Sequence, residues 1–215
     1  MAPDSYHEAV WEALPEGLEP THASLRRTFL LAHVRALRGA DGAPPRVLDV
    51  GCGEGHFTAE LTREGATAVG ADVSLEALRR AHARHPELQL RALPPQGEWP
   101  FPDASFDAVW AGETVEHVAD TAAWLSEVRR VLRPCGALLL STPAHGRGLM
   151  LVLGLSTRRF ERHFDPRSDH LRFYSKRTLR RLLEEFRFEE VRVRAAGGFP
   201  GLGRVLLAHA RRARY

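Results

Sequence analysis

A loop with glycines in alternate positions carries the strongest chemical signal in the sequence. Gly51, Gly53 and Gly55 follow the apolar run VLDV and precede a segment with helical spacing. Glycines placed in this way let the backbone turn sharply and approach a ligand without a Cβ clash, and the free amides at the start of the next helix face the same space. We expect a nucleotide-like ligand here, with an ordinary tight turn as the alternative interpretation.

Two carboxylates accompany this loop. Asp49 lies two residues before Gly51, and Asp72 ends a second apolar run, 21 residues after Gly51. A carboxylate at the second position can accept hydrogen bonds from both hydroxyls of a ribose. The glycines do not have the Gly-x-Gly-x-x-Gly spacing, and Asp49 would lie close to a pyrophosphate, so a dinucleotide is disfavoured. An anion at position 49 suits a cationic ligand.

A second group of candidate residues lies later in the chain. Glu113, Glu116 and His117 have i, i+3, i+4 spacing, so they would share one face if the segment begins a helix. Such residues can remove a proton from an acceptor or hold a divalent ion. The stretch HFDPRSDHLRF adds further candidates, and His145 is expected to face the substrate opening. The added residues are His163, Asp165, Asp169 and His170.

The elements that must position these residues alternate along the chain. Short β-branched or apolar runs predict strands at 47–50, 68–71, 88–91, 106–110, 137–141, 191–194 and 205–208. Amphipathic spacing predicts helices at 6–14, 23–37, 56–63, 75–84, 121–132 and 176–186. This alternation indicates an α/β fold with a mostly parallel sheet covered on both faces. In such sheets the ligand crevice lies at the carboxyl ends of the strands, where the strand order reverses.

Composition and charge narrow the class of protein. With 215 residues, of which 44% are apolar and 27% charged, the chain fits one folded domain, and its two cysteines are too few for a disulfide framework. The sequence shows no signal segment and no run of about 20 apolar residues, so we expect a cytoplasmic protein without a membrane span, as a monomer or homodimer.

Residues 156–215 hold 16 basic and 7 acidic side chains. This surplus could attract an anionic substrate, nucleic acid or a lipid surface, or could be a solvated helix face.

At this point the sequence resembles a known family. The runs VLDVGCGEG, VGADVS, FPDASFDAVWAGETVEHV and VRRVLRPCGALLLSTP are similar to those of the class I S-adenosylmethionine-dependent methyltransferases, in the ubiquinone-biosynthesis-like branch. The likeness is close over residues 46–142. It implies a Rossmann-like doubly wound sheet of seven strands with an N-terminal helical cap. It also implies S-adenosylmethionine as cofactor, S-adenosylhomocysteine as product, and in-line methyl transfer to a small molecule, most often on oxygen.

The resemblance also assigns residues to the cofactor. The glycine loop, with Cys52, would lie against the amino-acid portion, Asp72 would bind the ribose, and Val73 would lie against the adenine. The chain departs from the family pattern in LRALPPQGE, which lacks the usual aspartate, so Gln96 or a backbone amide must substitute; Cys135 stands where glycine is usual. The full expected set is Asp49, Gly51, Cys52, Gly53, Gly55, Asp72, Val73, Leu93, Gln96 and Ala111.

The sequence leaves alternatives open for the residues expected near the methyl acceptor. The Glu-x-x-Glu-His pattern with a distant histidine is similar to the metal site of small-RNA 3′-end 2′-O-methyltransferases, which would make Glu113, Glu116, His117 and His170 ligands of a divalent metal. Without metal, Glu116, His117, His145 and His170 are the acid–base candidates. A metal-dependent RNA 2′-O-methyltransferase and a non-catalytic S-adenosylmethionine-binding module are the alternative functions.

We expect one methyltransferase domain over residues 1–215. Its parts are a helical cap at 1–40, a cofactor-binding core at 46–142, a substrate-side insertion at 143–175, and a C-terminal helix and strands at 176–215. Segment 149–155 could form a lid helix, a dimer patch or a contact for a lipid-tailed substrate. Arginines of the insertion (Arg158, Arg159 and Arg162) could meet an acidic group. Its aromatics, together with Trp11, could wall an apolar pocket or pack in the core: Phe160, Phe164, Phe173 and Tyr174.

Overall fold

A seven-stranded sheet forms the centre of the computed structural model, which describes residues 3–37, 42–165, 168–198 and 203–214. The strands are β1 (Arg46–Val50), β2 (Thr67–Asp72), β3 (Gln89–Ala92), β4 (Phe106–Gly112), β5 (Leu132–Pro143), β6 (Phe188–Ala196) and β7 (Val205–Arg212). Their order is β3-β2-β1-β4-β5-β7-β6, with β7 antiparallel to both of its neighbours. The predicted Rossmann-like, mostly parallel sheet is confirmed. Its strand order reverses between β1 and β4, where a ligand crevice is expected.

Helices cover both faces of the sheet. They are α1 (Pro3–Ala13), α2 (Ala23–Val34), α3 (His56–Arg63), α4 (Leu75–Arg84), α5 (Thr121–Val131), α6 (Arg147–Gly154), α7 (Thr157–His163) and α8 (Lys176–Glu185). The predicted bounds of α3 and α4 are confirmed, and α5 and α8 each end one residue early. Helices α1 and α2 lie in the segment expected as a helical cap, and α6 and α7 lie in the insertion. Among the described helices, none is long and apolar enough to cross a membrane.

Local sequence signals explain where several helices begin. The Ser74 hydroxyl accepts a hydrogen bond from Ala77 N at the start of α4, and Asp120 accepts one from Ala123 N at the start of α5. A capping box between Ser175 and Thr178 opens α8. These caps fix the residue at which each helix begins, so the loops after β2 and β4 end at Ser74 and Asp120.

Two apolar clusters, one on each side of the sheet, hold the strands in place. On one side Phe29 and Leu30 of α2 and Phe57 of α3 pack around Trp110, whose side chain is fully buried in β4. The Phe57 and Trp110 rings meet edge to face, with centroids 5.6 Å apart. Burial of a large apolar side chain stabilises the fold by about 1.5–3 kcal/mol. This packing fixes the ends of β1 and β4, from which the candidate site residues extend.

Strand β5 begins earlier than the sequence predicts and includes a turn. It starts at Leu132 rather than at residue 137, because α5 ends at Val131. Cys135 in this turn has a φ of 62°, in the left-handed region that favours glycine. The guanidinium of Arg211 donates to the Cys135 carbonyl oxygen at 2.8 Å, which holds the turn against β7. The left-handed backbone at Cys135 is a conformation that glycine adopts without strain.

Replacing Cys135 should test this strain. We expect Cys135→Gly to raise the free energy of unfolding by about 1 kcal/mol, since glycine adopts a positive φ without the Cβ clash. In a chain of this size that gain corresponds to a rise of about 2–4 °C in Tm, measurable by differential scanning calorimetry. Cys135→Ala keeps a Cβ and is the matched control. An equal gain in the alanine variant would contradict the backbone explanation.

Candidate active site

The glycine loop lies at the carboxyl end of β1, where the crevice was expected. Gly51, Gly53 and Gly55 have φ values of 71°, 53° and 77°. A Cβ on Gly51 would come within 2.5 Å of the Thr114 hydroxyl oxygen, so this glycine lets the loop pack directly against the loop that follows β4. Gly55 is the N-cap of α3. The loop amides are used internally, with Gly51 N donating to the Ala71 carbonyl oxygen and Gly53 N to Asp72 Oδ2. The absence of a Cβ at Gly51 is what allows the loop to lie against Thr114.

Asp72 is held at the edge of this loop. Its side chain is buried at the end of β2, with Oδ2 accepting from Gly53 N and Oδ1 from Ser74 N, each at 2.9 Å. Burial raises the pKa of Asp72, and the amides of Ser74 and Gly53 partly oppose that rise. The carboxyl group is thus fixed in orientation by backbone donors and stands where a ribose was expected.

Asp49 is also buried, one strand away. Its Oδ2 accepts a hydrogen bond from the Thr58 hydroxyl of α3 at 2.7 Å. Burial raises the pKa of Asp49 to about 7, against the lowering effects of the Thr58 bond and the Arg26 guanidinium. Between the two acids, burial raises the pKa of the Cys52 thiol well above its usual range. Cys52 therefore stays a neutral thiol packed beneath the loop.

Arg26 of α2 is a site residue that the sequence analysis missed. It is 3% exposed, its Nη1 donates to the Thr21 carbonyl oxygen at 3.2 Å, and its guanidinium lies 4.7 Å from the centroid of the Phe57 ring. Gly112 at the end of β4 contacts the same guanidinium, since a Cβ there would overlap with Arg26 Nη2. The helical spacing of α2 gave no signal for a buried charge, because the pattern marks only the apolar positions.

The charge of Arg26 is balanced by acids from both loops. Burial lowers the pKa of Arg26, while three neighbouring carboxyl groups raise it, in the order Glu113, Asp49 and Glu116. Arg26 Nε has no hydrogen-bond partner among the described residues. The buried guanidinium of Arg26 therefore interacts electrostatically with Asp49 of β1 and with both Glu113 and Glu116 of the loop after β4. Its Nε donor is unused.

Helix α1 lies across the glycine loop. A Cβ on Gly53 would come within 2.8 Å of the Trp11 ring, so the two residues are in direct contact. The Glu8 carboxylate accepts from Leu75 N at 2.6 Å and from Glu76 N at 3.0 Å at the start of α4. Among the ring contacts of the described residues, none joins Trp11 to the insertion aromatics with which it could wall an apolar pocket. Trp11 packs on the cofactor-side loop because α1 is anchored on α4 instead.

Four more residues of the expected cofactor-binding set are Val73, Leu93, Gln96 and Ala111. Leu93 is buried, with its amide donating to the Asp72 carbonyl oxygen at 2.8 Å, and the half-buried Val73 packs against the same core. Gln96 is exposed in the loop after β3, and Ala111 is fully buried in β4. Leu93 and Val73 thus lie beside Asp72, whereas Ala111 is a core residue of β4.

The loop after β4 is a turn, not the start of a helix. Glu113 has a φ of 57°, and the amide of His117 donates to the Thr114 carbonyl oxygen at 3.0 Å. The expectation that Glu113, Glu116 and His117 share one helical face is therefore wrong, since a left-handed residue interrupts the helical path. Helix α5 begins only at Thr121, after its cap.

The turn nevertheless brings Glu116, His117 and His170 together. Each can offer one ligand atom, and these atoms lie within 4.8 Å of one another. His117 Nε2 is 4.0 Å from Glu116 Oε1, and the His117 and His170 rings meet edge to face at 4.9 Å. His117 Nδ1 lies 3.0 Å from the carbonyl oxygen of Asp169, an acceptor only, so Nδ1 carries the proton and Nε2 the lone pair.

Two buried carboxyl groups of this turn have unused oxygens. Glu116 is fully buried, and neither of its oxygens has a hydrogen-bond partner in the described part of the chain; the same holds for Glu113 Oε1. The hydroxyls of Ser141 and Thr142 lower the pKa values of Glu113 and Glu116 respectively, but lie outside hydrogen-bond geometry. Burial, followed by the neighbouring Glu113, raises the pKa of Glu116 to about 8.

His145 lies on the other side of the opening. Its Nδ1 is 3.1 Å from the Pro143 carbonyl oxygen, and burial with the nearby His163 lowers its pKa to about 4. Burial also lowers the pKa of His170 and of His163. Burial therefore favours the neutral form of each of these three imidazoles, in which one ring nitrogen keeps a lone pair.

The aromatic residues of the insertion form a continuous group. Phe173 contacts His145, with centroids 4.8 Å apart, and Phe164, at 5.0 Å; Phe164 contacts Phe160 at 4.7 Å. Tyr174 is buried in the core, and its hydroxyl has no partner among the described residues. We call this series of ring contacts, from His145 through Phe173 and Phe164 to Phe160, the aromatic path. Phe160, at its outer end, is 48% exposed.

Comparison with known proteins identifies the family of this chain. Residues 22–193 match a family model described as a methyltransferase domain. The 27-O-demethylrifamycin SV methyltransferase of Amycolatopsis mediterranei is 34% identical over 143 residues, which are 64% of this chain and 50% of that protein. The ubiquinone biosynthesis O-methyltransferase of Dinoroseobacter shibae is 35% identical over 133 residues, 55% of this chain and 51% of that protein. The chain spans about half the length of these curated relatives.

A solved structure has a similar overall fold. An S-adenosylmethionine-dependent methyltransferase from Mesorhizobium loti superposes with a TM-score of 0.63 at 20% identity, covering 84% of this chain and 96% of that one. This likeness shows the fold, and the family model covers the loops that carry the glycines and the Glu-His pair. The chain therefore belongs to the class I S-adenosylmethionine-dependent methyltransferases, and over about half of their length it is similar to the ubiquinone-biosynthesis O-methyltransferases.

Proposed function

We propose that this protein transfers a methyl group from S-adenosylmethionine to an oxygen atom of a small, largely apolar molecule. One observation carries the proposal: Glu116 and His117 place a buried carboxyl group and an imidazole lone pair 4.0 Å apart, beside the glycine loop. The two relatives described above are named for methylation of a rifamycin precursor and for O-methylation in ubiquinone biosynthesis. Those names support an oxygen acceptor here.

Three charged side chains suit the two ends of the cofactor. Asp72, oriented by Gly53 N and Ser74 N, can accept the ribose hydroxyls. Asp49 offers a negative charge beside the glycine loop for the ammonium group of the amino-acid portion. The unused Nε of Arg26 offers a donor for the carboxylate of the same portion.

The reaction asks the protein for alignment and for removal of one proton. S-adenosylmethionine supplies a methyl group activated on a sulfonium, which takes back the bonding electron pair as the methyl group leaves. His117 Nε2 accepts the proton of the acceptor hydroxyl, while the Asp169 carbonyl oxygen holds the imidazole through Nδ1. Glu116, when ionised, stabilises the resulting imidazolium. Helix α1 and the insertion exclude water from the two loops.

A divalent ion at the same turn is a second candidate, favoured by the convergence of Glu116, His117 and His170. Two imidazoles and a carboxylate form a donor set that suits a transition metal. Glu113 lies outside this group of ligand atoms. A cation held there would stabilise the negative charge of a deprotonated acceptor oxygen.

Removal of the Asp72 charge should weaken cofactor binding. We expect Asp72→Asn to raise the Kd for S-adenosylhomocysteine about 10- to 100-fold, because a hydrogen bond to a charged group contributes about 1.5–3 kcal/mol. Isothermal titration calorimetry measures this change. Asp107→Asn, at the opposite end of β4, is the matched control and should leave Kd unchanged. Unaltered binding in the Asp72 variant would contradict the ribose assignment.

The acid–base assignment predicts a pH dependence. The pKa of Glu116 is raised to about 8, so its carboxylate forms as pH increases through that value, and kcat/KM should rise to a plateau above it. Glu116→Gln should remove this part of the profile. His117→Asn, which can keep the donor to Asp169 but lacks Nε2, should lower kcat about 10²- to 10⁴-fold without changing the Kd for S-adenosylhomocysteine.

The exposed His82 of α4 provides the control for these rates, since His82→Asn removes an imidazole far from the turn. A flat pH profile in the unaltered protein, or full activity of the His117 variant, would overturn the assignment.

Chelation distinguishes the two candidates. If His117 acts as the base without metal, dialysis against EDTA should change kcat less than about twofold, since a general base needs no Lewis acid. Elemental analysis of the dialysed protein checks that any metal has been removed. A loss of activity that Mg²⁺, Mn²⁺ or Zn²⁺ restores would contradict the metal-free reaction and support the divalent site.

A further inference from the structure

Helices α6 and α7 project an exposed apolar face from the insertion. Neither helix has a buried residue. Leu151 is 70% exposed and Leu155 80% exposed, and Val152 and Phe160 are also largely exposed. Large apolar side chains that remain in water so close together mark an interaction surface rather than ordinary surface scatter. We call these four residues the apolar face.

Four arginines lie on the same two helices as the apolar face. Arg147, Arg158, Arg159 and Arg162 are all exposed, whereas Glu161 is the only acidic residue between positions 147 and 163. Within the described part of the chain, none of these four arginine side chains makes a hydrogen bond or an ion pair. The guanidinium groups are therefore available to an anionic partner, and their charge complements such a surface.

We propose that the apolar face docks on a lipid bilayer that contains anionic phospholipids. The leucines and Phe160 would enter the boundary between headgroups and acyl chains, while the arginine stems lie along it with their guanidinium groups at the lipid phosphates. Short helices that combine leucine and phenylalanine with arginine are suited to lying in the membrane interface, and each basic group near an anionic surface adds to the affinity.

A second copy of the chain fits this surface less well. In a two-fold dimer the same patch faces itself, so the arginines of one copy would meet those of the other. In such an interface the two copies of Glu161 would face eight guanidinium groups and could not neutralise them. An anionic bilayer instead supplies both the negative charge and the apolar layer that the two kinds of exposed side chain require.

The apolar face is connected to His145, which we expect to face the substrate opening. Phe160 belongs to the face and also begins the aromatic path through Phe164 and Phe173 to His145. Docking would therefore hold the opening next to the bilayer, from which an apolar acceptor could enter. This consequence rests on the proposed function, whereas docking itself does not.

Vesicle sedimentation tests docking without any methyl transfer. The full-length protein is mixed with vesicles of phosphatidylcholine alone, or of phosphatidylcholine with phosphatidylglycerol at about one third. We expect binding to the second kind only, weakened by added salt because the attraction is screened. Removing three charges in Arg158→Gln, Arg159→Gln, Arg162→Gln should lower the partition coefficient about a hundredfold.

Matched variants separate local docking from net charge. Arg177→Gln, Arg180→Gln, Arg181→Gln removes the same charge from the exposed surface of α8 and should retain most of the binding. Leu151→Ser with Leu155→Ser should lower binding at least tenfold, whereas Leu18→Ser, at a leucine 57% exposed elsewhere, should not. Thermal melting checks that every variant folds.

Three results would overturn the docking proposal. They are absence of binding to the anionic vesicles, equal losses in the two arginine triple variants, and a concentration-dependent dimer that the Leu151 and Leu155 changes abolish. Loss of methyl transfer with intact vesicle binding would instead count against the proposed function alone.

Discussion

The burial of charge at the carboxyl ends of β1 and β4 constrains the whole candidate site. Asp49, Glu113 and Glu116 are removed from water, and each has a raised pKa because burial disfavours the ionised form. The guanidinium of Arg26, itself buried, opposes this rise in all three. Buried acids with unused oxygens are costly unless a partner or ligand satisfies them. The site therefore contains buried polar groups that a bound polar ligand would stabilise by supplying the missing hydrogen bonds.

This arrangement couples the cofactor loop to the acceptor loop. Gly51 packs against Thr114, and Gly112 packs against Arg26, at distances that admit no Cβ. A change of position in one loop must therefore move the other. In a displacement that needs the nucleophile, methyl group and sulfur in line, such direct contact sets the distance between the two binding regions. The rigid core around Trp110 keeps that distance fixed.

The segments that we expect to select a substrate lie outside this rigid frame. Helix α1 reaches the glycine loop through Trp11 and caps α4 through Glu8, while α6 and α7 contribute no buried residue to the core. The same fold can thus serve different acceptors by changing these segments, since neither contributes a strand to the sheet. The aromatic path from Phe160 to His145 belongs to this variable part.

The sequence by itself determined the sheet, the bounds of four of the eight described helices to within one residue, and the glycine loop, because apolar periodicity, caps and glycine spacing act over a few neighbouring residues. Only the structure showed that Glu113 has a left-handed backbone, which separates Glu113 from Glu116 and His117. The structure alone also showed the buried Arg26 and the packing of Trp11 on Gly53. These features depend on contacts between residues far apart in the chain, and local patterns carry no information about which distant side chain will neutralise a buried charge or cover a loop.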